Sequence, residues 1–151
     1  MSKFIVRRAH IKDAPRLKFL LHEWLNWEPP SGRVQSVKRA IKNEEFLVAQ
    51  AGPTVVGFIH FILHEDVVDG APNAFITAFY VQERFRGKGI GTKLLHRAII
   101  ESASRGATFV ETSTLHSKAK AFYEERGFRQ FSDDIGEVHL ELDVNKVLEV
   151  R

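Results

Sequence analysis

The sequence contains no cysteine, and its single methionine is Met1 among 151 residues. Without cysteine, this chain cannot form a disulfide bond, a thiolate metal site or a cysteine nucleophile. No apolar stretch approaches the roughly 18 residues of a membrane-spanning helix, and residues 1–10 lack the apolar core of a signal peptide. We therefore expect a cytoplasmic protein without a membrane partner.

The sequence also lacks a large excess of either charge, because 22 lysines and arginines nearly balance 19 acids and leave a net charge of +3. A balance this small does not identify a partner, so the local placement of charge must do so. Hydrophobic residues make up 44% of the chain and charged residues 27%, which is an ordinary globular composition. We expect a single domain over residues 1–151.

The hydrophobic pattern predicts a mixed α/β protein with the element order βααβββαβαββ. The acidic segment His64–Asn73, which contains a glycine and a proline, is expected to be a loop. Helices are expected to begin near Asp13, Val34, Ile90 and Ser117, and strands are expected at Lys3–Arg8, Phe46–Gln50, Thr54–Leu63, Ala74–Val81, Thr108–Thr114, Phe128–Phe131 and Glu137–Asp143.

The segment Val81–Gly91, with the sequence VQERFRGKGIG, joins a predicted strand to a predicted helix. Its glycines permit a sharp turn and a close approach of a ligand to backbone amides. Amides at the start of a helix attract anions, and residues 84–97 contain five basic residues and no acid. Neither the P-loop pattern nor the dinucleotide-binding GxGxxG pattern fits these glycines. The sequence therefore predicts a phosphate-binding turn of another type.

Two motifs resemble the signatures of the GNAT superfamily of N-acetyltransferases. The first is Arg86-x-x-Gly89-x-Gly91, which follows the predicted strand. The second runs from Ala119 to Phe128 and reads AKAFYEERGF, and the spacing between the two motifs also fits the family. The resemblance follows the order of elements along nearly the whole chain.

The resemblance implies a fold of the α/β (α+β mixed) class, namely a single-domain acyl-CoA N-acyltransferase fold. Its central, mostly antiparallel sheet would splay between the fourth and fifth strands, with helices on both faces. Acetyl-CoA would be the cosubstrate, held between two parallel strands, and no metal would be needed. The implied activity is direct transfer of the acetyl group to a primary amine, because a relay through cysteine is excluded by composition.

The resemblance also assigns roles to individual residues. The amides of Arg86–Gly91 would hold the pyrophosphate, and the backbone of Phe79 and Val81 would hold the pantetheine arm and the thioester carbonyl. Tyr123 would lie near the sulfur and act as a general acid toward the leaving thiolate. The residues expected at the cosubstrate are Phe79, Tyr80, Val81, Arg86, Gly87, Lys88, Gly89, Ile90, Gly91, Thr92 and His116.

The general base is not identified by the resemblance. Members of the family often carry a glutamate three residues before the position of Tyr80, where this chain has Thr77, which cannot be a strong base. The candidates are His116, which stands where many members have an asparagine, His60 and Glu65. A water relay without a dedicated base is the remaining alternative.

The acceptor is expected to be a cationic small molecule or a peptide amine, since His64–Asn73 and Gln130–Asn145 contain acids but no lysine or arginine. Trp24 is expected in the core, whereas Trp27 could line the acceptor pocket. The alternative function is a non-catalytic acyl-CoA-binding or sensing domain. A nucleic-acid-binding protein would leave the glycine pattern unexplained, so we expect no nucleic acid partner. We expect an exposed last strand, and this strand and the Val147–Val150 tail could pair with a second chain, so a homodimer stays open.

Overall fold

The computed structural model describes residues 3–30, 32–68, 70–134 and 137–149, without the side chains of residues 132–134 and 147–149. The chain forms two compact units. Unit 1 consists of Met1–Phe61 with Ala78–Ala98, and unit 2 consists of Ile62–Thr77 with Ile99–Arg151. No helix in the described parts of the chain is long and apolar enough to cross a membrane.

The elements follow the predicted order, with one further helix at the end. Short 3-10 turns lie at Ile11–Asp13 and Glu83–Phe85. The strands are β1 (Phe4–Arg8), β2 (Phe46–Ala51), β3 (Thr54–Asp66), β4 (Ala71–Val81), β5 (Phe109–Thr114), β6 (Arg129–Asp134) and β7 (Glu137–Asp143), and the helices are α1 (Ala14–Leu25), α2 (Val34–Lys42), α3 (Ile90–Ser104), α4 (Ser117–Glu125) and α5 (Val144–Glu149).

The strands form one seven-stranded sheet in the order β1-β2-β3-β4-β5-β7-β6. The pairs β1–β2, β2–β3, β5–β7 and β6–β7 are antiparallel. β4 and β5 are parallel, and their ladder has two residue pairs, Ala74 with Val110 and Phe75 with Glu111. A ladder this short is expected for strands that splay. The predicted mixed, mostly antiparallel sheet is therefore confirmed.

The core of unit 1 lies between the two first helices and the first strands. Apolar residues at helical spacing on α1 and α2 meet Phe46 and Val48 of β2 and Val55 and Phe58 of β3, which explains why this sequence places its helices on the sheet. Tyr80 and Ala78 of β4 pack against the same cluster while remaining partly exposed. The buried members are Ala9, Ala14, Leu17, Leu20, Val37, Ile41, Phe46, Val48, Val55 and Phe58.

A buried carboxylate ties the start of α1 to β1. Asp13 occupies the N-cap position of α1, but its side chain makes no cap hydrogen bond. Instead, Arg7 Nη1 and Nη2 donate to the two Asp13 oxygens at 2.8 and 3.1 Å, and the His10 amide donates at 2.7 Å. Burial alone would raise the pKa of Asp13, but the hydrogen bonds and charge of Arg7 and the His10 amide outweigh burial and hold it below 3.8.

Unit 2 is built on the antiparallel strands β5, β7 and β6. Val110 and Thr112 of β5 and Leu140 and Leu142 of β7 are buried, as period-two alternation requires for one covered face. The α4 residue Tyr123 is buried with its ring 5.2 Å from the ring of Phe128.

The predicted loop His64–Asn73 is wrong over most of its length. β3 continues to Asp66 and β4 begins at Ala71, so only a short turn separates them. Asp66 accepts hydrogen bonds from the Val68 amide at 3.0 Å and from Asn73 Nδ2 at 3.2 Å. Polar residues that suggest a loop therefore stabilise a long hairpin. Asp69 of this segment lies outside the described residues.

The expectation of an exposed last strand is also wrong. β7 lies between β5 and β6 and is hydrogen-bonded to both. A strand with two paired edges has no free backbone groups to offer a second chain. Of the Val147–Val150 tail, residues 147–149 belong to α5 and residue 150 lies outside the described residues.

We predict that Asp13→Asn lowers the free energy of unfolding at pH 7 by about 1.5–3 kcal/mol, because it removes hydrogen bonds to a charged, buried group. The folded pKa of Asp13 is depressed, so its contribution is present at neutral pH and fades as the pH falls below 3.8. Urea unfolding at pH 7 and pH 3 measures both effects. Glu44→Gln, which removes an exposed ion pair with Arg8 at 3.4 Å, is the control, with an expected loss below about 1 kcal/mol. Equal losses for both variants would contradict the prediction.

Candidate active site

The glycine-rich turn of unit 1 leads from β4 into α3. Gly87 and Gly89 adopt φ angles of 76° and 85°, which side chains other than glycine rarely adopt. Within the described part of the chain, the amides of Gly87, Lys88, Gly89, Ile90 and Gly91 make no hydrogen bond. Several unpaired amides at the start of a 15-residue helix form a site that suits an anion.

Arg86 closes this turn onto the strand that precedes it. Its Nε donates a hydrogen bond of 2.8 Å to the carbonyl oxygen of Val81, and its guanidinium lies 5.6 Å from the centre of the Tyr80 ring. The arginine of the motif therefore fixes the turn relative to β4. The two Nη groups remain available for a phosphate, since a guanidinium offers five donors.

Basic side chains surround the same turn. Arg84 and Lys88 lie over the ring of Phe85, at 4.8 and 5.6 Å from its centre, and Lys93 lies 5.4 Å from the ring of Phe4. These contacts hold cations near the unpaired amides without neutralising them, because an aromatic ring carries no net charge. The turn can hold a polyphosphate such as that of acetyl-CoA.

The end of β4 is held at close range by β3. A Cβ atom at Gly57 would lie 2.9 Å from the Tyr80 carbonyl oxygen and 3.2 Å from Val81 Cγ2, so no side chain fits at this position. The Gln82 amide donates to Val56 O at 2.9 Å just beyond the strand. The backbone of residues 79–81, predicted to hold the acyl arm, is therefore rigidly placed within unit 1.

A polar cluster that the sequence did not predict lies next to this strand. Tyr80 Oη donates to Glu23 Oε1 at 2.6 Å, and Gln82 Nε2 donates to the same oxygen at 3.1 Å. These two hydrogen bonds lower the pKa of Glu23. Burial and the hydrogen bond to Glu23 raise the pKa of Tyr80 to about 12. The only sequence signal was the tyrosine itself, because Glu23 lies 57 positions away in sequence.

Tyr123, the predicted general acid, lies in unit 2. Its side chain is buried and forms a hydrogen bond with the side chain of Thr112. Burial raises the pKa of Tyr123, and the Thr112 hydrogen bond only partly offsets this rise. The phenol therefore keeps its proton at neutral pH, as a general acid must.

The predicted bases have different surroundings. His116 is exposed at the N-cap of α4, and Glu65 is exposed on β3, both in unit 2. His60 of unit 1 is mostly buried, with its ring 4.9 Å from that of Phe46, and burial lowers its pKa to about 4. Such a histidine is a weak base at pH 7. Thr77 is exposed.

The predicted acceptor residues are only partly available. In the acidic segments, the carboxylates of Asp66 and Asp143 accept backbone amides at 3.0 Å, whereas Glu65 is exposed. Trp24 packs edge-on against the buried ring of Phe58, as expected, but 37% of Trp24 is exposed. Trp27 is 56% exposed.

The structure thus brings the predicted cosubstrate residues 79–81 and 86–92 together in unit 1, whereas His116, Tyr123 and Glu65 belong to unit 2. In the described residues, no group of three or more histidine, aspartate and glutamate side chains could hold a metal ion.

A mixed sheet whose fourth strand leads through a basic, glycine-rich turn into a helix is the arrangement expected of an acyl-CoA-dependent transferase. Comparison with known proteins gives the family. The sequence model of the acetyltransferase (GNAT) family matches residues 14–128. The chain is 23% identical to the thialysine N-epsilon-acetyltransferase of Bos taurus over 154 aligned residues, which cover 90% of each protein.

Two solved structures have a similar fold. The PaiA N-acetyltransferase of Thermoplasma acidophilum, in complex with coenzyme A, has a TM-score of 0.76 and 19% identity, covering 93% of this chain and 99% of that one. An N-acetyltransferase of Staphylococcus aureus Mu50 has a TM-score of 0.78 and 17% identity, covering 95% of this chain and 99% of that one.

This chain belongs to the GNAT acetyltransferase family. It is therefore an N-acetyltransferase that takes the acetyl group from acetyl-CoA, and the alternative of a non-catalytic binding domain is set aside.

We predict that Gly89→Ala weakens CoA binding roughly tenfold, because an L-residue at φ 85° costs about 1–2 kcal/mol and shifts the unpaired amides. An added Cβ would meet no atom within 4 Å, so the effect comes from the backbone alone. Isothermal titration calorimetry with CoA measures the change. Gly52→Ala, with φ 58° and equally open surroundings in the β2–β3 turn, is the matched control and should bind CoA normally. Equal affinity in both variants would refute the assignment.

Proposed function

We propose that the enzyme transfers the acetyl group of acetyl-CoA directly to a primary amine of a cationic small molecule or a peptide. In such a step the amine nitrogen attacks the thioester carbonyl carbon, and the carbon–sulfur bond breaks to release CoA. The turn at Arg86–Gly91 binds the pyrophosphate, and the backbone of Phe79 and Val81 holds the acyl arm. The relative from Bos taurus, whose name gives an amine acceptor, supports this class of substrate.

The observation that carries the proposal is the buried phenol of Tyr123, whose burial favours the protonated form. The leaving thiolate needs a proton, and a phenol with a raised pKa retains one at neutral pH. Tyr123 is the general acid that donates it. No cysteine is needed in this scheme, and the chain contains none.

A base must take the proton that the amine loses. Of the two exposed candidates, His116 suits the task better, because histidine is the side chain most often used as a general base. His116 also stands where many family members carry an asparagine. Glu65 remains the alternative base, and a water relay is the third route.

A cytoplasmic location and a homodimer stay predictions from the sequence. The edge strands of the sheet leave a homodimer open, although β7 has no unpaired backbone edge to offer to it.

We expect Tyr123→Phe to lower kcat by about 100-fold or more, the usual effect of removing a general acid. The affinity for CoA should stay within about twofold, since the ring that packs on Phe128 is retained. Thiol release from acetyl-CoA over a panel of primary amines measures kcat, and calorimetry measures CoA affinity. Release of thiol by no amine in the wild-type protein would overturn the proposed function, and an unchanged kcat in the variant would remove Tyr123 from the mechanism.

The pH profile of kcat/KM distinguishes the bases. We expect His116→Ala to flatten the acidic limb of this profile. In the variant, no histidine at this position loses its proton and becomes an active base as the pH rises. Glu65→Gln is the paired variant and should keep the wild-type limb. A flattened limb in Glu65→Gln alone would assign the base to Glu65, and unchanged profiles in both variants would favour the water relay.

A further inference from the structure

Glu23 is a carboxylate that two neutral donors orient and that forms no ion pair, although the charge of Arg16 acts on it at longer range. Both donors, Tyr80 Oη and Gln82 Nε2, reach the same oxygen, Oε1. No described lysine, arginine or histidine forms an ion pair with Glu23. The second oxygen, Oε2, has no described partner, and the residue is exposed on α1. The side chain therefore presents a fixed, fully charged oxygen to solvent.

The orientation of this carboxylate is set by a chain of hydrogen bonds. Arg16 Nη2 donates to Gln82 Oε1 at 3.3 Å, which turns the amide nitrogen of Gln82 toward Glu23. Arg16 itself is held by the carbonyl oxygen of Val55, to which its Nε donates at 2.9 Å. Three side chains thus hold one carboxylate in place, and such preorganisation lowers the entropic cost of binding a ligand.

The cluster is attached to the strand proposed to hold the acyl arm. Tyr80 lies between Phe79 and Val81, and its ring packs 6.2 Å from the ring of Phe58 in the core of unit 1. The hydroxyl that binds Glu23 is therefore rigidly connected to the proposed cosubstrate backbone. A negatively charged oxygen in this position attracts a cationic group of an acceptor that lies beside the acyl arm.

We propose that Glu23 binds a second, non-reacting ammonium group of the acceptor, so that the enzyme prefers diamines to monoamines. The inference rests on the proposed function. The hydrogen bonds that lower the pKa of Glu23 make it a weak base. A carboxylate that held the reacting ammonium would also raise that group's pKa and oppose its deprotonation. Binding a distant ammonium avoids both difficulties.

The test compares 1,4-diaminobutane with butylamine as acceptors, by thiol release from acetyl-CoA. We expect the wild-type kcat/KM to be higher for the diamine by roughly tenfold or more, which is the factor that one hydrogen-bonded ionic contact contributes. Glu23→Gln should remove most of this preference through a higher KM for the diamine, with kcat and the KM for acetyl-CoA little changed. Its activity on butylamine should equal that of the wild type.

Two further variants complete the test. Tyr80→Phe frees the carboxylate from its shortest hydrogen bond and should weaken the diamine preference by a smaller factor, about threefold. Glu125→Gln removes an exposed acid of α4, whose side chain is 75% exposed, and should change nothing. Thermal unfolding confirms that each variant is folded.

The outcomes separate the two proposals. Acetylation of both amines with no preference for the diamine, or a preference that survives Glu23→Gln, would overturn the role of Glu23 and leave the proposed function standing. Thiol release with neither amine nor any other primary amine would overturn both.

Discussion

The hydrogen bond from Arg86 Nε to the Val81 carbonyl oxygen is the contact on which the cosubstrate site depends. It joins the end of β4 to the start of the glycine-rich turn, so that the unpaired amides before α3 keep one geometry relative to β4. A lysine could not replace this arginine, because a single ammonium cannot close the turn and also present a planar pair of donors to a phosphate. The glycines permit the backbone conformation of the turn, and the arginine fixes the position of the turn relative to β4.

The order and type of the elements could be predicted from the sequence because both depend on local pattern. Helical spacing on α1 and alternation on β7 each report a face that must be buried. The boundaries of β3 and β4 could not be predicted from the sequence, since Asp66 and Asn73 are typical loop residues. Their hydrogen bond forms only once the hairpin has closed. The position of β7 between two strands likewise depends on long-range pairing, which period-two alternation does not specify.

The candidate site likewise has parts that could be predicted from the sequence and parts that could not. The turn at Gly87–Gly91 could be predicted, because glycines, basic residues and a following helix are contiguous in sequence. The pairing of Glu23 with Tyr80 could not, because it joins the last turns of α1 to the end of β4. On α1 alone, Glu23 resembles any exposed acid on the polar face of an amphipathic helix. The raised pKa of Tyr123 also needs the structure, since burial of one hydroxyl is a property of packing.

The central place of β7 has a consequence for assembly. With β7 paired on both sides, the backbone edges without a partner strand among the described residues belong to β1 and β6, the two ends of the strand order. These edges differ in sequence, so the symmetry of a complex depends on which edges meet. Like edges joined across a two-fold axis would close as a dimer, whereas β1 joined to β6 of the next copy would extend the sheet without limit. The short, five-residue β1, with its charged flanks, restricts the second route.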